Sequence, residues 1–231
     1  MSSLIQSALS DFETKNKRLV GRLTNLLDTI CASDALHGLF LNTLSMMEHI
    51  GSRKIMVTQG RTDMDQPTLK HLADETRHAF FMKRHAETAT KRTLAYGSGD
   101  VLAHAAARMY FQRLELAMRQ SLSGPSAAVY LYMSMIVEFR ATWGYGIFQA
   151  ALKRAGRNLP LKSLLAEEEQ HLEDMARRLD RVGALSRDYI DAFTSQETRG
   201  FERLLSALEQ DSRVAAADSA PREALLSYGT A

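Results

Sequence analysis

The stretch VYLYMSMIVE, residues 129–138, limits the possible folds more than any other in the chain. From Val129 to Val137 it is apolar nearly all round, so a helix there has no face for water and must be enclosed by other helices. It then runs into Glu138. A lone carboxylate in such surroundings costs several kcal/mol unless a cation or a proton meets it. Two kinds of partner are on offer: an ion pair with Arg140 or Arg77, or a metal ion.

The rest of the chain supplies helices to enclose it. Only 4 Pro and 13 Gly occur in 231 residues, and alternating β-branched runs and Asn-Gly or Asp-Gly turns are missing. Apolar positions at helical spacing mark a first helix over 3–31. Ser33 or Asp34 is placed to cap a second over about 35–58, and Pro67 fits the first turn of a third running to about 94. Asp100 can cap a linking helix over about 101–121. Further helices follow over about 125–155, 160–182 and 187–212, separated by SGPS, GRNLP and Gly183. Short links make 35–58 with 67–94, and 125–155 with 160–182, antiparallel neighbours; the long link between the pairs is a single crossover. The expected fold is all-α and one domain: a four-helix core over about 35–182 with extra N- and C-terminal helices.

Each core helix carries a glutamate near its middle. Glu75 and His78 in LADETRHAFF, and Glu168 and His171 in LLAEEEQHLEDM, repeat a Glu-x-x-His spacing that puts both side chains on one helix face. With 14 Glu and 7 His, chance predicts roughly half an occurrence. Glu48 and Glu138 stand among apolar neighbours on the other two helices. Four carboxylates in one core bring about four negative charges, which two divalent ions would neutralise, with two imidazoles completing the ligand set. For Glu48 the competing reading is a salt bridge at the bundle's edge.

In these six positions, the single crossover and the hairpin order, residues 35–182 resemble the ferritin-like di-iron carboxylate superfamily, on its rubrerythrin and di-iron oxygenase side. The resemblance implies a ferritin-like bundle holding two iron ions, with manganese or a mixed pair as the other options. It implies Glu75 and Glu168 as bridging carboxylates and His78 and His171 as terminal ligands. It further implies activation of dioxygen to oxidise a small organic substrate, with an external electron donor. The alternatives are an iron-handling ferroxidase, a rubrerythrin-like peroxidase, or a helical interaction protein with a structural metal. A four-cysteine rubredoxin module is missing, since Cys31 is the single cysteine.

Other residues read more plainly. His71 and His85 share a stripe with His78 and are expected as polar neighbours at the core's edge, the alternative for either being a place behind the ligands or at an entry to the site. Tyr145, seven residues after Glu138, is expected to pack, with the same possible place beside the site. His49 points about 100° away from Glu48, and the Asp34/His37 pair mimics the ligand spacing with Asp34 engaged at a helix start. A net charge of +2 gives no reason to invoke nucleic acid. The absence of a signal-like N-terminus and of long apolar runs leads to the expectation of a cytoplasmic protein with no membrane partner. The terminal helices could cover the bundle or form a homodimer contact.

Overall fold

A computed structural model of the chain describes residues 3–59, 64–122 and 126–218. It is all-helical, with no strand among the described residues. The helices are α1 (Ser3–Cys31), α2 (Asp34–Gln59), α3 (Gln66–Thr90), α4 (His104–Ser121), α5 (Ser126–Arg154), α6 (Lys162–Arg181) and α7 (Arg187–Asp218). The expected breaks near 60–63 and 123–125, and the tail after 218, lie outside the described residues.

Most helix ends follow local chemistry. Ser33 caps α2, its hydroxyl accepting from Leu36 N at 3.3 Å, while Asp34 instead pairs with Arg157. Asp65 caps α3 by accepting from Thr68 N at 2.9 Å, with Pro67 in the first turn. Three expected boundaries move. The third helix stops at Thr90, not near 94, because Lys91 turns left-handed at φ 54°. That conformation is costly for a non-glycine residue. Here Glu87 accepts from Leu94 N at 3.0 Å and Lys83 donates to Leu94 O, which tie the turn down. Asp100 does not cap the linking helix. It accepts from Ala95 N at 2.7 Å and pairs with Arg92. The chain enters α4 at His104, three residues later than expected, with Asp211 of α7 accepting from Ala103 N at 2.7 Å. The last helix also runs beyond 212, to Asp218.

The two hairpins are antiparallel. Along α2 and α3, Gly38 meets Thr90, Ser45 donates to Ala79 O at 2.6 Å, and Gly51 meets Glu75, in opposite order on the two helices. The helices approach closely at Gly38, where an added Cβ would sit 2.3 Å from Thr90 Cγ2 and 3.0 Å from a backbone oxygen. Along α5 and α6, Tyr132 reaches Ala184 while Glu138 faces His171. The hairpins meet through α3 with α6 and α2 with α5. Helix α5 is buried on nearly all sides, as its composition demands. The other three helices complete its cover. α1 and α7 run parallel, joined by Asn16 with Thr198, Arg18 with Glu202 and Arg22 with Glu209. α4 packs on α7 and α5.

Candidate metal centre

Between α2, α3, α5 and α6 the fold gathers Glu48, Glu75, His78, Glu138, Glu168 and His171, the six residues singled out in the sequence. It adds His71. Ligand-type atoms of Glu48, Glu75 and His78 lie within 4.8 Å of one another, as do those of His71, Glu75, Glu138 and His171. Glu75 belongs to both groups. Glu168 also spans them: its Oε1 is 3.2 Å from His78 Nδ1 and its Oε2 3.0 Å from His171 Nδ1. All but Glu48 are buried. Glu48 is half-buried, lines a cavity, and accepts from the Tyr145 hydroxyl at 2.5 Å. Gly51 makes room for this crowding, since a Cβ there would sit 3.1 Å from Glu75 Oε2.

His71 lies inside the cluster rather than at the core's edge. Its Nε2 is 3.1 Å from Glu75 Oε1 and 3.5 Å from Glu138 Oε1, and its Nδ1 is 2.8 Å from the Tyr130 hydroxyl. The seven-residue step from His78 brings it there because two helical turns return nearly to the same face. Glu138 therefore pairs with two imidazoles, His71 and His171 at 3.4 Å, and not with an arginine. Arg77 is taken by Asp74 and Glu167, and Arg140 by Glu197.

Both Glu-x-x-His histidines are held from behind by the opposite motif. His78 Nε2 is 2.7 Å from Glu167 on α6, and His171 Nε2 is 3.2 Å from Asp74 on α3. A carboxylate on the outer ring nitrogen fixes the ring and leaves Nδ1 facing inward, the usual arrangement behind a metal-bound imidazole. Spacing alone does not pick out Asp74 and Glu167, although a signal for them exists. Each motif has an acid immediately before its glutamate (DETRH and EEEQH), about 100° around the helix and so turned toward the facing helix.

The electrostatics describe a cluster balanced by protons when no metal is present. Burial lowers the basicity of His78, but Glu168, Glu48 and Glu167 outweigh it and raise the group to about 10. Burial likewise opposes His171, and Glu138 and Glu168 raise it to about 11. His71 is raised well above the ordinary histidine value against burial by Glu138 and Glu75. Glu48 is pushed well above the carboxylate range by burial and by Glu75 and Glu168. Glu138 is lowered in spite of its burial, held down by His171 and His71. His78 Nδ1 is buried and lacks a hydrogen-bond partner in good geometry. An inward-facing imidazole nitrogen without a partner, surrounded by carboxylate oxygens, is a donor set that suits a divalent transition ion.

The remaining candidates lie elsewhere. His49 stacks on Tyr96 at 5.5 Å, and His85 sits against Phe81 at 4.6 Å. His37 is buried with neither ring nitrogen bonded, and burial lowers it to about 4. Cys31 is buried, which raises its thiol to about 11 and leaves no reactive thiolate near neutral pH. Among the described residues no helix is long and apolar enough to cross a membrane. The chain matches no family model, no curated protein and no solved structure.

Proposed function

We propose that the cluster holds two transition-metal ions, iron in the first instance, in a ferritin-like bundle, and that the protein uses dioxygen to oxidise a small organic substrate. The observation that carries this reading is the sharing of Glu75 and Glu168 between two groups of ligand atoms. One ion would be held by Glu48, Glu75, His78 and Glu168. The other would be held by Glu138, Glu168, His171, Glu75 and His71. Bound iron would supply the redox chemistry, with electrons from an external donor. The chain's own residues do the rest. Asp74 and Glu167 hold the imidazoles in place, Tyr145 holds Glu48, and the four helices keep bulk water from the carboxylates.

What supports an organic substrate over stored iron is the lining around the centre. A cavity of about 130 Å³ beside Glu48, Glu75 and Glu138 is mostly apolar, with Leu23, Phe40 and Leu204 in its walls. A second, of about 60 Å³, reaches His71 and Glu138 past Lys54, Arg119 and Glu115, a mouth richer in cations than in acids. The acidic run 167–169 lends little to an inward route. Glu167 is engaged by Arg77 and His78, and Glu168 belongs to the centre. A route for ferrous ions would need unpaired carboxylates leading inward.

Elemental analysis after expression with iron tests the reading. About two metal ions per chain are expected for a two-metal site, with anomalous scattering at the iron edge between the four helices. Less than half an ion per chain sinks it. Oxygen consumption that builds a mineral core, with many ferrous ions turned over per chain, replaces it with the ferroxidase alternative.

A further inference from the structure

The cavity of about 130 Å³ carries one charged group that does not belong to the centre, Arg140. Arg140 is buried, and most of its donors are spoken for. Nε and Nη2 each hold one oxygen of Glu197 at 2.8 Å, and Nη2 also donates to Asn16 Oδ1 at 2.8 Å. The Tyr110 hydroxyl donates to the same Glu197 at 2.8 Å. The rings of Phe201, Phe12 and Trp143 lie 3.9, 4.6 and 4.7 Å from the guanidinium carbon and offer no lone pair. Among the described residues, Nη1 is left buried without a hydrogen-bond partner. A buried donor without a partner costs about 1–3 kcal/mol, and more on a charged group. An arginine cannot relieve the cost by losing a proton.

We propose that this cavity is the substrate pocket, and that it takes an uncharged molecule with an apolar body about the size of a six-carbon ring and one acceptor oxygen, anchored by Arg140 Nη1. The volume sets the body, because an engineered apolar cavity of about 150 Å³ is enough to hold benzene. The existing ion pair sets the charge. Glu197 already cancels Arg140, so a carboxylate ligand would be a second, uncompensated anion in a buried space that also faces Glu48, Glu75 and Glu138. A carbonyl, ether or hydroxyl oxygen can accept from Nη1 without that penalty. The assignment rests on the di-metal reading for its chemistry, but on the cavity and Arg140 alone for its binding.

Trp143, the single tryptophan, stands beside Arg140 and edge-on to Phe201, so its fluorescence reports on the pocket. Cyclohexanone, methylcyclohexane and cyclohexanecarboxylate are titrated into the full-length protein, with metal content measured on the same sample. Cyclohexanone is expected to bind, and the carboxylate at least about tenfold more weakly. Arg140→Lys retains a cation for Glu197 but loses the fork. It should weaken cyclohexanone about tenfold while changing methylcyclohexane by less than about twofold. A crystal of the wild type with cyclohexanone should place its oxygen on Arg140 Nη1, a test that needs no variant and so decides the matter even where the lysine variant does not fold. Equal binding of the carboxylate, equal loss of ketone and alkane in Arg140→Lys, or a water on Nη1 with the ketone elsewhere overturns the proposal. Metal loading without ketone binding overturns the pocket alone; ketone binding to a protein that takes up no metal overturns the oxidase reading and leaves the pocket standing.

Discussion

Glu138 and Arg140 are two residues apart on α5, and each carries a buried charge into a different side of the molecule. Arg140 meets a carboxylate, a tyrosine-bound one, across to α7. Its charge cannot be shed, and Glu197 already cancels it, so the ion pair there needs no outside charge, although Nη1 keeps an unused donor. Among the described residues, Glu138 pairs with imidazoles alone. Around it, four carboxylates face three histidines that can each gain or lose a proton. Protons held by Glu48 and the histidines offset the carboxylates in part, and two divalent ions would balance four negative charges in their place. Charge that is fixed can be balanced once and for all within the fold, and charge that is exchangeable leaves room for a metal ion.

Substitution on each side should separate the two regions most sharply. Glu197→Ala leaves Arg140 buried and unpaired and is expected to cost about 3–5 kcal/mol in urea unfolding, with or without metal. Glu138→Gln should cost under about 2 kcal/mol in the metal-free protein, because a histidine can release its proton in compensation, and yet should lower bound metal well below two per chain. Equal destabilisation by both would mean that the cluster is as rigidly paired as Arg140.

Acidity offers the next test. In the metal-free protein His78 and His171 stay protonated up to about 10 and 11, so a bound metal must displace their protons. Metal affinity should then rise with pH, by about tenfold per proton released per unit, and so by at least about a hundredfold from this pair between pH 6 and 7. Chelator competition across that range measures the slope, and a flat profile rules out these histidines as ligands. The sign for metal-free stability is the reverse. Both histidines are raised above the unfolded value, so their contribution is complete below about 6.5 and is lost as pH rises through about 10 to 11.

Smaller effects probe geometry. His78→Ala and His171→Ala should each lose metal, whereas His49→Ala, stacked on Tyr96, should change metal content by less than about a tenth of an ion. Gly51→Ala puts a methyl 3.1 Å from Glu75 Oε2, which must yield by a few tenths of an ångström. Metal affinity should fall by roughly tenfold, about 1.4 kcal/mol, with unfolding of the metal-free protein nearly unchanged. An unaltered affinity would show that Glu75 does not need its place against α2.

Much of this architecture is legible in the chain itself. The all-round apolar run before Glu138, the cap at Ser33, the first-turn Pro67 and the doubled Glu-x-x-His each express a rule that acts within one helix or at its end. Asp100 misleads for the complementary reason. A helix start can be completed by a side chain more than a hundred residues away, here Asp211, and nothing near Asp100 announces it. His71 is hard to place from helical phase because phase says only that it shares a stripe with His78, and a stripe can face either neighbours or a cavity.

Reading along the chain is enough to give seven helices in order and four core helices each bearing a carboxylate near its middle. These follow from local periodicity and from the cost of burying charge. Which charges meet is settled by how the helices pack. Packing sent Glu138 to His71 and His171, sent Arg140 to Glu197, and placed Asp74 and Glu167 behind the opposite motif's histidine. Such pairings depend on the relative rotation and rise of packed helices, and these are set by contacts such as the close approach at Gly38, between residues far apart in the chain.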